Sequence, residues 1–102
     1  MLSYQHEYHC GNHADVLKHA ILALTIRALQ RKDTPLRVID THAGSGLYDL
    51  GSPEAQRNAE FRTGISRVLA AGSPPPELEP YLGAVHAMNP DAGTLSRYPG
   101  SP

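Results

Sequence analysis

The chain has 102 residues, a one-domain length that excludes a complete doubly wound enzyme. Its 40% hydrophobic content, with 9 Pro and 9 Gly, is that of a loop-rich globular chain. Nine Lys and Arg against 10 Asp and Glu leave a formal charge of -1, which excludes a whole-chain attraction to nucleic acid or anionic membrane and leaves only local contacts. The single cysteine, Cys10, excludes an internal disulfide, and no apolar run reaches the roughly 18 residues that span a bilayer. No basic, apolar, small-residue signal pattern opens the chain, so the expected compartment is the cytoplasm.

Residues 1–12 are polar and aromatic and end in Gly11-Asn12, which reads as an ordered arm or turn without regular structure. From about His13, Leu17, Ile21, Leu24 and Ala28 recur at helical spacing, with Asn12 as N-cap and Asp15 in the first turn. Ile21 to Ile26 is apolar on several sides, which predicts a well-buried helix. Asp33-Thr34-Pro35 ends it, and residues 36–40, Leu-Arg-Val-Ile-Asp, read as a strand running into the loop Thr41-His42-Ala43-Gly44-Ser45-Gly46. Ser52 and Pro53 open a second helix, which Gly72 closes as a C-cap glycine. After Ser73-Pro74-Pro75-Pro76 comes a third helix near Glu77 to Met88, stopped by Asn89-Pro90. Thr94 to Tyr98 looks extended, and Ser101 and Pro102 look like the N-cap and first residue of another helix.

A strand ending in Asp40 and delivered into a loop with Gly44 and Gly46 suits a nucleotide-like cofactor. Glycines let backbone approach a ligand closely, and open α/β sheets bind ligands at the carboxyl ends of their strands. The pattern lacks the third glycine and downstream acid of a dinucleotide fingerprint, and by itself an ordinary strand-to-loop turn is the competing reading. Likewise His42, taken alone, reads as a loop histidine bonded to backbone.

Three blocks carry a resemblance to a known family. They are Tyr4-x-His6-x-x-His9-x-Gly11-Asn12-His13-Ala14-Asp15-Val16-Leu17-Lys18-His19, then Asp40-Thr41-His42-Ala43-Gly44-x-Gly46-x-Tyr48-x-Leu50, then Tyr98-Pro99-Gly100-Ser101-Pro102. Together they resemble the ribosomal RNA large subunit methyltransferase J family over the whole chain, with a looser match between Ser52 and Asn89. The resemblance implies S-adenosyl-L-methionine as cofactor, 23S ribosomal RNA as partner and methylation of an adenine N6 amino group. It implies an α/β, partial Rossmann-like methyltransferase fold with an inserted small helical subdomain. Residues 1–51 would be the arm, helix, first strand and glycine loop, 52–92 the helical insertion, and 93–102 the return to the methyltransferase layer. His19, His42 and Ser101 match cofactor-contacting positions, Lys18 lies beside them, Gly44 and Gly46 belong to the cofactor loop, and Tyr4 matches a position that meets the RNA.

The chain departs from the family pattern in two respects. It contains no Asp-Pro-Pro-Tyr type motif, whose aspartate and backbone hold the target amino group, and no acid on a following strand for the ribose. The expectation is therefore an N-terminal part with no catalytic residue of its own, inactive alone and a monomer at full length; the alternative is an inactive cofactor- or RNA-binding remnant. His6, His9, His13 and His19 near Cys10 raise a zinc site, but their spacing fits no closed four-ligand pattern, so no metal is expected. Cys10 reads as a packed side chain rather than an activated nucleophile. Arg57, Arg62 and Arg67 recur every five residues, which spreads them around a helix as solvated surface.

Overall fold

The computed structural model describes residues 4–91 and 94–101. The expected first helical residue Pro102 and the division between 92 and 93 lie outside them.

Asn12 starts the longest helix, α1 (His13–Leu29), by accepting the Asp15 N–H on its side-chain oxygen at 2.9 Å, as the sequence predicts. The arm before it, expected to hold no regular structure, contains one regular turn. His6–Tyr8 form a 3-10 turn, and Gly11 adopts φ +74, a left-handed conformation that turns the chain into the helix at no steric cost.

The expected strand at 36–40 is the principal correction. The segment has no regular structure and joins no ladder among the described residues, and Leu36, Val38 and Ile39 are exposed. A strand exists only by pairing, and no other part of the described chain runs beside it. The sheet that does form is antiparallel and two-stranded, β1 (Leu47–Asp49) with β2 (Arg97–Pro99), in the register Tyr48 opposite Tyr98. The two-residue period sends both tyrosines to the buried face and sets Asp49 opposite Arg97 on the other. The described chain is thus mixed α/β with a small sheet.

The second predicted helix is two. Ser52 caps α2 (Pro53–Asn58), accepting the Ala55 N–H at 3.2 Å, with Pro53 in its first turn. Ala59 then takes the left-handed conformation at φ 48, a 3-10 turn covers Glu60–Arg62, and α3 (Ile65–Ala70) follows. The break is tertiary in origin: the Ile65 N–H donates to Gly11 O at 2.9 Å, so the chain leaves helical geometry to dock on the arm. Ala71 in extended conformation, not a left-handed Gly72, ends α3. Arg57, Arg62 and Arg67 are all exposed, as expected, with Arg57 lying over the Tyr8 ring and Arg62 over the Phe61 ring, each 6.0 Å from the centroid.

After a 3-10 turn at Pro76–Leu78, α4 (Glu79–Met88) runs as expected to Asn89. Asn89 ties the helix end to the sheet. Its amide nitrogen donates to Val85 O and Arg97 O at 2.8 Å each, and its oxygen accepts from the Ser96 and Arg97 N–H groups at 2.8 and 2.9 Å. The core gathers Tyr48, Leu50, Phe61, Ile65, Tyr81, Val85 and Tyr98. Each such side chain contributes about 1.5–3 kcal/mol through burial.

The first helix is less buried than its sequence predicts. Only Asp15 and Ala20 on α1 are buried, and Leu17, Ile21 and Leu29 are more than half exposed. The contacts of α4 with α1 cover one stripe of it, so the remaining apolar positions stay uncovered among the described residues. Among those residues no helix is long and apolar enough to cross a membrane.

Candidate functional site

The arm, α1 and two loops meet in a cleft of about 890 Å³, within the size range of small-molecule sites. The arm brings Tyr4 and His6, the first half of α1 brings Asp15, Lys18 and His19, and the loops bring Asp40, His42, Gly44, Gly100 and Ser101. Six of the seven residues singled out in the sequence, Tyr4, Lys18, His19, His42, Gly44 and Ser101, therefore line one space. The seventh, Gly46, does not line it. Its carbonyl accepts the Gly100 N–H at 3.0 Å and so joins the glycine loop to the segment after β2.

That junction is reinforced at the level of side chains. Asp40 Oδ2 accepts the Ser101 hydroxyl at 2.5 Å, and Oδ1 accepts the His42 N–H at 3.1 Å. The Ser101 hydrogen bond, followed by the His42 amide, holds the Asp40 carboxyl below its ordinary range, so it is an anion and a hydrogen-bond acceptor at neutral pH. Ser45 N–H donates to the Tyr48 hydroxyl at 3.2 Å, which folds the loop back over the sheet. The Gly44 backbone runs so close to that hydroxyl that a Cβ there would lie 2.6 Å from it.

The arm itself is organised by hydrogen bonds. Tyr4 Oη bonds His6 Nδ1 at 2.6 Å, and His6 Nε2 bonds Asp15 Oδ2 at 2.7 Å. The same Asp15 oxygen accepts the Gly11 N–H at 2.9 Å, so this buried carboxylate, 3% exposed, has its partners at hand. The Tyr4 ring also stacks on His9 at 5.6 Å, and His9 Nδ1 bonds Glu60 at 2.8 Å. Burial works against ionisation of Glu60, but hydrogen bonds from Asn12 and His9 outweigh it and lower its pKa. Among the described residues no group of three His, Cys, Asp or Glu side chains is placed to hold a metal. Cys10 is buried with its Sγ–H directed to Glu7 O at 3.3 Å, and burial, then the Asp15 charge, pushes its thiol up to about 11, which fits a packed side chain and not a nucleophile.

The sequence reading missed Asp15, Tyr98 and Tyr81. Asp15 stands four residues before His19, a spacing that puts both on one helix face and is the signal that could have found it. Tyr98 stands in the third motif block, but nothing local ties it to His19, which it reaches from 79 residues away.

Burial, with smaller repulsion from His6 and Lys18, lowers the His19 pKa, while the Asp15 carboxylate opposes the shift. The unfolded chain therefore binds the extra proton more readily. Stability from this group is fully present above the unfolded value near 6.5 and falls as pH drops below it. Urea midpoints are expected to decline from pH 7 toward pH 5, and the His19→Gln variant should show a flatter profile over that interval. An unchanged slope in that variant would assign the decline to other groups.

Residues 33–102 match the family model described as Ribosomal RNA large subunit methyltransferase D, RlmJ. Over all 102 residues the chain is 50% identical to Ribosomal RNA large subunit methyltransferase J of Escherichia coli and 39% identical to the protein of that name from Haemophilus influenzae, covering 36% of each. A crystal structure of a Legionella pneumophila protein is similar at a TM-score of 0.78 and 38% identity, over 91% of this chain and 33% of that one. The chain thus spans about a third of the length of these relatives. With its family model matched over more than two thirds of its residues, the chain belongs to the RlmJ family of ribosomal RNA large subunit methyltransferases.

Proposed function

We propose that these residues form the first part of an S-adenosyl-L-methionine-dependent methyltransferase that acts on the N6 amino group of an adenine in 23S ribosomal RNA. In this reading the cleft is one side of the cofactor pocket in a Rossmann-like layer, with residues 52–92 as its helical insertion. The observation that carries it is the convergence of Tyr4, Lys18, His19, His42, Gly44 and Ser101 on one cleft from three separate stretches of chain.

The donor set fits the cofactor's chemistry. Lys18 supplies a cation for a carboxylate, Asp40 an exposed anion that accepts from hydroxyls, and Ser101 and His42 polar groups beside it. When bound, the cofactor supplies an electrophilic methyl group on a sulfonium sulfur. The residues of this chain bind and orient. Lys18, His19, His42 and Ser101 hold the cofactor, and Tyr4, pinned by His6 and stacked on His9, presents a ring on which a flipped base can stack.

The two functions are separable in a full-length protein carrying these motifs. His42→Ala or Ser101→Ala should weaken cofactor binding by about 1–3 kcal/mol, the cost of stranding a polar partner, and leave RNA affinity nearly unchanged. Tyr4→Ala should spare cofactor binding and lower turnover. Calorimetric cofactor titrations, paired with RNA binding at one fixed salt concentration, check both expectations. Unchanged cofactor affinity in the His42 variant would return that residue to an ordinary loop histidine.

A further inference from the structure

His19 does not face the cleft as a free imidazole. Its Nδ1 bonds the Tyr98 hydroxyl at 2.8 Å, its ring stacks on the Tyr98 ring at 5.5 Å, and the Tyr98 hydroxyl bonds the Tyr81 hydroxyl at 2.9 Å. Tyr98 comes from β2 and is fully buried, and Tyr81 comes from α4 with 2% exposure. A three-member polar chain therefore runs from the helical segment, through the sheet, to the wall of the cleft.

Counting protons along this chain fixes its direction. Each hydroxyl carries one proton, and a neutral imidazole carries one on either nitrogen. If His19 Nδ1 held its proton it would donate to Tyr98, Tyr98 would donate to Tyr81, and the buried Tyr81 proton would have no acceptor among the described residues. In the reverse direction Tyr81 donates to Tyr98 and Tyr98 donates to Nδ1, and every proton has an acceptor. Burial pushes both phenols up, Tyr81 to about 12, so both stay protonated and able to donate.

We infer that Tyr98, with Tyr81 as a supporting donor behind it, is the positioning residue that holds His19 as the neutral Nε2–H tautomer, making His19 a fixed hydrogen-bond donor to an acceptor atom of the ligand in the cleft. The identity of that ligand rests on the cofactor reading above; the tautomer does not. An oxygen or unprotonated ring nitrogen of the cofactor is the chemistry such a donor selects, and a ligand presenting an N–H there would be rejected. The device also gives a role to two buried tyrosines that converge behind His19, Tyr98 within the third motif block and Tyr81 outside the motifs.

Long-range 15N–1H correlation spectra of the imidazole groups in the full-length protein test it. The expected result is a protonated Nε2 and unprotonated Nδ1 for His19, retained in Tyr81→Phe, where Tyr98 can still donate, and lost to a tautomer mixture in Tyr98→Phe, which keeps the packing ring. In Tyr98→Phe the KM for S-adenosyl-L-methionine should rise by roughly 3–10-fold, one neutral hydrogen bond, with kcat little changed. A protonated Nδ1 in the unaltered protein, or an unaltered tautomer in Tyr98→Phe, overturns the inference whatever the cofactor does. A correct tautomer whose Nε2 resonance does not move on cofactor addition supports the relay and overturns instead the placement of the cofactor beside His19.

Discussion

Asp15→Ala is expected to lower the stability of the fold by about 1–3 kcal/mol, the cost of leaving a buried hydrogen-bond donor unsatisfied. The Asp15 carboxylate is 3% exposed and accepts from His6 Nε2 and from the Gly11 N–H. Its removal leaves His6 Nε2 and the Gly11 N–H without a partner at the point where the arm turns into α1. It also releases Tyr4, because His6 is the group that pins the Tyr4 hydroxyl. Asp15→Asn keeps an oxygen for Gly11 and should cost less. Urea midpoints of the two variants check the order, and a loss below about 1 kcal/mol for Ala would mean that the pair does not hold the arm.

Gly64→Ala is expected to cost about 3 kcal/mol, the upper end for overpacking, because the added Cβ has no room. It would overlap the Gly11 carbonyl oxygen and approach the Asn12 carbonyl carbon and Cα at 2.6 and 2.8 Å. These are backbone atoms, so no rotamer change relieves the clash. Relief requires moving α3 off the arm, which breaks the bond from Ile65 N–H to Gly11 O. Gly83 in α4 provides the contrast: a Cβ there meets nothing within 4 Å, so Gly83→Ala should be neutral or stabilising by about 0.5–1 kcal/mol. Thermal or urea unfolding of both variants decides it, and equal effects would mean that the close approach at Gly64 relaxes without cost.

Much of the local structure was legible in the residues. Asn12 and Ser52 cap helices as their side chains suggest, because a short polar side chain beside an orphan N–H is a local event. The stop at Asn89-Pro90 was equally readable, since proline forbids helical continuation. The bond from Asn89 to the β2 segment was not, because nothing near Asn89 announces strand residues eight positions away. The break at Ala59 and Gly64 was missed for a related reason. The intervening residues have no strong helix breaker apart from Gly64, and only docking on Gly11 makes the break favourable.

For the candidate site, the sequence alone determined which residues carry the family pattern, because Tyr4, Lys18, His19, His42, Gly44 and Ser101 are types whose charge, ring or small size is their chemistry. The tertiary structure decided which of them share a space and what holds them. It moved Gly46 from the cleft to the junction with Gly100, tied Asp40 to Ser101, and set Tyr98 behind His19. Those contacts join residues 54 to 79 positions apart, and such pairings follow from packing rather than from any local preference of the chain.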